Sequence, residues 1–329
     1  MKKLLLLLFL SVQMFRQASG QATESYGKPI AEIFTDFHVN FNDTAKHTGF
    51  DLNRAYLGYH FMPGGSLTGK IIVNVGSPED LTDGSVPRRY AYFREASLIW
   101  SYEKLTVSFG ITGTRIFEYQ QRFWGKRYIA NTYQSINGYG FVADLGIVID
   151  YIFSDKFKAD LSFMNGEGYC NLQLDDNIRS SVGLTITPAK TISFRLYGDI
   201  QKMEGLWQPV FVAFAGFKNE LLTIGAEISY KSNIDKVQGH HAWGISTTNA
   251  ISLTKKLEYF FRYDFISSVV ADNETIKWNY LKDGNFLVTG VQYLLSANAK
   301  IALDYQGRYP YSSGAMATDM IFLNLLFKF

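Results

Sequence analysis

One cysteine, Cys170, serves the whole chain of 329 residues. No intramolecular disulfide can form, and Cys170 does not sit beside a cleavage site where a lipid anchor would be attached. Stability therefore rests on hydrogen bonding and packing, and Cys170 reads as a tolerated loop residue. Apolar runs of about 20 residues are also missing, which excludes a bundle of membrane helices. Disorder is excluded by the opposite feature, a heavy aromatic load of 5 Trp, 21 Tyr and 26 Phe. Nor is there an excess of one charge. The formal net charge of +2 belongs to the first 20 residues, because removing Lys2, Lys3 and Arg16 leaves 29 basic against 30 acidic side chains. Nothing in that balance suggests a nucleic-acid partner, and none is expected.

Those first residues have their own reading. Met1-Lys2-Lys3 is a basic start, Leu4 to Val12 a short apolar core, and Ala18-Ser19-Gly20 a small-residue cleavage site. The apolar stretch is too short to span a bilayer, so residues 1–20 are expected to be a secretory signal peptide and residues 21–329 the mature domain.

What the rest of the chain contains is alternation. Ile33, Thr35, Phe37, Val39 and Phe41 alternate with Glu32, Phe34, Asp36, His38 and Asn40; Phe157, Ala159, Leu161 and Phe163 alternate with Lys156, Lys158, Asp160 and Ser162. A period of two is the mark of strands with unlike faces, and no segment reads as a core helix. Tight turns at Pro63-Gly64-Gly65, Tyr102-Glu103-Lys104, Ser154-Asp155, Lys218-Asn219 and Ala297-Asn298 alternate with longer polar stretches near 42–48, 77–89, 113–137, 165–176, 203–208, 231–241, 268–284 and 309–317. The count is about 16 strands. Several, such as Tyr139 to Ile152, are longer than the strands of a soluble sandwich and suit a tilted span of hydrocarbon. The fold class expected is all-β, a closed antiparallel transmembrane β-barrel with short periplasmic turns and long outer loops. Such a barrel belongs in the bacterial outer membrane, among its lipid and lipopolysaccharide.

The chain ends on Ile321, Leu323, Leu325, Phe327 and Phe329, one apolar face closing on a terminal aromatic. Phe327 and Phe329 are expected to be the signal read by the outer-membrane insertion machinery. An unpaired edge in hydrocarbon is costly, so the sheet must close, and a barrel this wide encloses water. Its polar face carries Arg54, Arg195 and Arg262 together with Asp144, Asp199 and Asp264, the lumen-wall candidates. The stretch 113–137 carries Arg115, Arg122, Lys126 and Arg127 against one acid, Glu118, interleaved with Phe117, Tyr119, Phe123, Trp124 and Tyr128. A loop so aromatic is expected to fold inward and line the narrowest point with positive charge, which favours anions. The competing reading leaves it at the rim, its cations hydrated or on lipopolysaccharide.

Phe50-Asp51-Leu52-Asn53-Arg54-Ala55-Tyr56-Leu57-Gly58-Tyr59, Arg94-Glu95-Ala96-Ser97-Leu98, the strand ending at Phe109-Gly110, and Asn165-Gly166-Glu167-Gly168-Tyr169 together resemble the phosphate-selective porin O and P family, particularly its Bacteroidetes-type members. The resemblance covers roughly residues 30–329 and implies a trimeric diffusion channel of 16 strands with an inward third loop. Ile111-Thr112-Gly113 follow Gly110 where that family often has proline, and no arginine ladder matches, so phosphate selectivity is not implied. The function expected is passive diffusion of small hydrophilic solutes, with a weak preference for anions. Two alternatives are a non-conducting scaffold of a surface or secretion complex and a barrel hydrolase. Asp36 and His38 would serve the latter, but no serine is identified. Neither a catalytic set, a cofactor nor a metal is expected. Gly138-Tyr139-Gly140-Phe141-Val142-Ala143 fits a dinucleotide fingerprint only loosely, since it opens a strand rather than a helix.

Overall fold

The computed structural model describes residues 26–41, 48–76, 89–173, 175–272 and 274–329. The expected signal peptide, and most of the polar stretches at 42–48 and 77–89, lie outside the described residues. Strands take up the greater part of what remains. They are β1 (Tyr26–Asn40), β2 (Thr48–Met62), β3 (Leu67–Gly76), β4 (Tyr90–Tyr102), β5 (Leu105–Gly113), β6 (Ala143–Ser154), β7 (Phe157–Met164) and β8 (Arg179–Ala189) in the first half. The second half supplies β9 (Ile192–Met203), β10 (Leu206–Lys218), β11 (Leu222–Lys231), β12 (Ala242–Ser252), β13 (Leu257–Ser268), β14 (Gly284–Ser296), β15 (Ala299–Pro310) and β16 (Thr318–Lys328).

Each strand pairs antiparallel with its neighbours in sequence, and β16 returns to β1 through a register that runs from Glu32 opposite Lys328 to Asn40 opposite Met320. The sheet is thus a closed barrel of 16 strands. Closure leaves no strand edge in the lipid layer. No helix among the described residues is long and apolar enough to cross a membrane.

Alternation decides which face meets lipid. Leu57, Phe93, Phe109, Leu196, Phe211, Leu303 and Leu323 stand exposed on the outside, while Arg54, Asp160, Arg195, Arg262, Asp264 and Asp304 lie buried on the inside. Near the short turns the outer face becomes aromatic: Trp100 stacks on Tyr102, Tyr59 packs on Phe61 and Tyr151 on Phe153. Such rings form the interfacial girdle of membrane barrels.

Two expectations are corrected. The stretch at 203–208 is a tight turn, with Glu204 and Gly205 both at positive φ between β9 and β10, rather than a long loop. The strand expected from Tyr139 begins only at Ala143, because Tyr139 is fully buried against Tyr133 and its hydroxyl donates to the Ala242 carbonyl at 3.2 Å. Residues 139–142 complete the preceding loop.

Candidate pore constriction

The connection between β5 and β6 runs from Thr114 to Val142 and lies within the lumen. Its contacts prove the placement, because they reach strands all around the wall. Arg115 comes first. Its guanidinium bonds Glu118 at 2.6 Å and clasps Asp150 of β6 through two nitrogens, at 2.7 and 3.1 Å, while its carbonyl accepts from Arg195 of β9 at 2.9 Å. Arg195 in turn holds Asp160 of β7 through two nitrogens, at 2.7 and 3.1 Å. Paired, two-pronged geometry of this kind offsets the cost of burying charge.

Helix α1 (Glu118–Trp124) follows and ends at Gly125, whose left-handed backbone (φ 67°) lets its N–H close on the Gln121 carbonyl at 2.9 Å. The helix lies against β10 and β11, where Tyr119 and Phe123 meet the ring of Phe214 at 5.7 and 5.0 Å. Space for Phe123 exists because two cross-strand partners, Gly216 and Gly225, have no side chains. A Cβ on Gly216 would stand 2.6 Å from the Phe123 ring, and one on Gly225 3.1 Å from it. Arg122 projects from the exposed side of α1 and pairs with Glu118 at 3.0 Å. Trp124 meets Phe260 of β13 edge to face, and Lys126 sits over both rings while pairing with Glu258. Burial there holds the Lys126 ammonium below the usual lysine range, and Glu258 opposes that effect.

Past Lys126 the loop turns toward the other wall. Tyr128 donates to Gln292 of β14 at 2.9 Å and packs near Phe34 of β1, and the Ile129 carbonyl accepts from Gln306 of β15 at 3.1 Å. Asn131 accepts from Arg262. Helix α2 (Tyr133–Ile136) then carries the loop back. Gln134 donates to Glu227 of β11 at 2.7 Å, and the Tyr133 ring occupies the place a Cβ on Gly244 would take. Lys231 donates to the Gly138 carbonyl at 2.7 Å. The glycine-rich stretch Gly138 to Val142 is therefore the returning limb of the loop.

Of the four constriction candidates, the structure brings Arg115 and Arg122 together on one acid, seals Lys126 under rings, and directs Arg127 to a cavity of about 260 Å³. Arg54 and Arg308 share that cavity, and among the described residues its only carboxylate is Asp36. Asp36 accepts from Asn53 at 2.7 Å and lies 2.7 Å from His38 Nδ1. Nearby, Arg54, Arg94 and Arg127 all act electrostatically on Tyr56, whose buried hydroxyl has no hydrogen-bond partner among the described residues. The six wall candidates all point inward and are buried. Arg195 is held by Asp160, Arg262 by Asp264 through Nε at 2.9 Å, and Asp199 by Arg179 at 3.0 Å. Asp144 instead accepts the backbone N–H groups of Gly166 and Leu145, fixing the loop after β7. At the other end, Phe327 faces outward between Ile33 and Ala299, and the Phe329 backbone bonds Ala31 at 2.8 Å.

Sequence reasoning missed the inward glycines and the role of Arg94. Gly216, Gly225 and Gly244 share parity with buried polar residues of their strands, and that was the available signal. No group of three or more metal-ligating side chains occurs among the described residues.

No family model matches the chain, and no curated protein matches it in sequence. Solved structures do. The anion-selective porin of Comamonas acidovorans superposes with a TM-score of 0.66 at 12% identity, over 93% of this chain and 100% of its own. OmpF of Salmonella typhi, in complex with daunomycin, gives 0.67 at 9%, over 92% and 97%. The trimer form of OmpT, an outer membrane protein of Vibrio cholerae, gives 0.64 at 12%, over 93% and 100%. At these identities the likeness establishes the porin fold.

Proposed function

We propose that this chain is an outer-membrane porin, a passive diffusion channel for small hydrophilic solutes with a weak preference for anions. A single observation carries the reading: the lumen is narrowed by its own loop, and at the cavity between that loop and the wall three guanidiniums, Arg54, Arg127 and Arg308, face one carboxylate already engaged by its neighbours. Cations fixed at a narrow point favour anions at close quarters. The remaining loop charges take little part. Arg115 and Arg122 are matched by Glu118 and Asp150, and Lys126 by Glu258.

The neighbours support this reading, since one is titled an anion-selective porin and another a trimer. In the proposed setting the outward belt meets lipid and, at the outer rim, lipopolysaccharide; residues 1–20 direct export; Phe327 and Phe329 engage the insertion machinery; and three copies assemble. Membership of the phosphate-selective porin O and P family remains part of the proposal, resting on the motifs around Arg54 and Gly166. No catalytic residue, cofactor or metal is assigned.

The test is electrical. Protein refolded into planar bilayers should give stepwise, ohmic openings, and a salt gradient should give a reversal potential on the anion side. Silence would replace the porin with a non-conducting scaffold, and silence with lipid or peptide turnover would replace it with a hydrolase.

A further inference from the structure

We infer that the cavity beside Arg127 is a seat for small organic anions that carry an apolar body, aromatic carboxylates being the class that fits best. The inference rests on the porin reading for access of solutes to the lumen, and goes beyond it in naming what pauses there.

The cavity has two chemically different sides. Its cationic side is Arg54, Arg127 and Arg308. Arg308 is the most available of these for a ligand: it is exposed to the lumen, and among the described residues no hydrogen bond or ion pair holds it. Its guanidinium instead lies 4.4 Å from the centre of the Phe286 ring, with that of Arg262 5.8 Å from the same ring. Cations held over an aromatic face keep their N–H edges for an anion. The apolar side is Phe34, Ile129, Ile136, Phe286 and Phe322. Inorganic phosphate would satisfy the guanidiniums and leave this surface wet. A carboxylate on a ring satisfies both, because two guanidinium N–H groups match one carboxylate edge while the ring displaces water from apolar walls. A volume of about 260 Å³ suits a molecule of benzoate size. The same Phe286 and Arg308 also line a second cavity of about 240 Å³, under residues 281–284 and 316–318, so they stand where two compartments meet.

Binding is to be measured in nanodiscs by ligand-observed NMR, with empty nanodiscs subtracted and four probes compared: benzoate, acetate, inorganic phosphate and benzyl alcohol. Benzoate should bind at least about tenfold more tightly than each of the other three, because only it uses both sides of the cavity. Arg308→Gln should cost benzoate about tenfold and leave benzyl alcohol unchanged. The comparison among probes on the unmodified protein stands even if a variant fails to fold. Acetate or phosphate equal to benzoate overturns the inference, as does benzoate binding that is indifferent to Arg308→Gln in a folded barrel. Conductance separates the two claims: a silent barrel that still prefers benzoate refutes the porin and keeps the seat, and a conducting barrel without the preference does the reverse.

Discussion

The inner wall of this barrel has two unlike sides. Along β6–β13 the inward loop is bolted down, and charges of loop and wall meet opposite charges at hydrogen-bonding distance: Arg115 of the loop with Asp150, Lys126 of the loop with Glu258, and on the wall Arg195, which also donates to the Arg115 carbonyl, with Asp160. Along β14–β16, β1 and β2 the loop is held by Tyr128 on Gln292 and by Gln306 on the Ile129 carbonyl, and beside these contacts it leaves a cavity faced by three guanidiniums and, among the described residues, one carboxylate. The difference teaches that a count of basic residues in a pore loop says little by itself. A cation enclosed against an opposite charge holds the structure together, and one that lines a cavity acts on solutes.

The comparison breaks most visibly on the bolted side. Arg195→Met leaves Asp160, with its side chain only 8% exposed, as an uncompensated charge and removes the donor to the Arg115 carbonyl. The expected loss is about 3–5 kcal/mol of unfolding free energy, measured by urea titration in lipid vesicles. Arg195→Met combined with Asp160→Leu should recover most of it. A loss below about 1 kcal/mol for the single variant would show that this pair does not anchor the loop.

Next in size is the cradle of α1. Gly216→Val places a branched side chain where the Phe123 ring already lies, the nearest ring atom standing 2.6 Å from the position of the new Cβ. Overpacking of this kind costs about 1–3 kcal/mol. The ring has wall behind it and lumen before it, so α1 should shift toward the axis and single-channel conductance should fall. Conductance equal to that of the unmodified protein would mean that α1 does not bound the pore.

Much of this architecture was legible in the chain before any coordinates. Alternation such as Ile33 to Phe41 needs only local sterics to declare two faces, and a face that pairs Arg54 with Tyr56 cannot meet lipid. The inward course of the loop could be read from its rings, which need a surface to pack on. What could not be read was pairing across the lumen. Asp150 and Arg115 are 35 positions apart, and Glu258 lies on a strand that meets Lys126 only once the barrel has closed. Four loop cations therefore look equivalent in sequence and differ in three dimensions. Parity places Gly216 and Gly225 on the inward face, but which ring fills the space they leave is known only once the loop has folded against them.

The open side is sharpened by Arg127→Ala. This variant removes one of three guanidiniums from the cavity. The anion-to-cation permeability ratio, from reversal potentials in a salt gradient, should fall about twofold or more at 0.1 M salt and by less at 1 M, where the screening length shrinks to about 3 Å. A ratio unchanged at low salt would remove the loop from the selectivity argument.

Arg122→Ala is the smallest expected effect and the most discriminating one. Sequence alone ranks Arg122 with Arg127, since both are loop arginines flanked by aromatic residues. In the fold Arg122 is 66% exposed at the end of an i,i+4 pair with Glu118, and Glu118 keeps Arg115 at 2.6 Å once Arg122 is gone. An exposed pair of this type contributes about 0.3–0.5 kcal/mol, so stability should move by no more than that. The group Arg115, Arg122, Glu118 and Asp150 is neutral as a whole, and deleting one member leaves a single negative charge that Arg115 still contacts. Its effect on the reversal potential should therefore be clearly smaller than that of Arg127→Ala under the same gradient. Equal shifts from the two variants would mean that a cation on α1 and one lining the cavity act alike on passing ions, and the distinction between the two sides of the lumen would then describe packing alone.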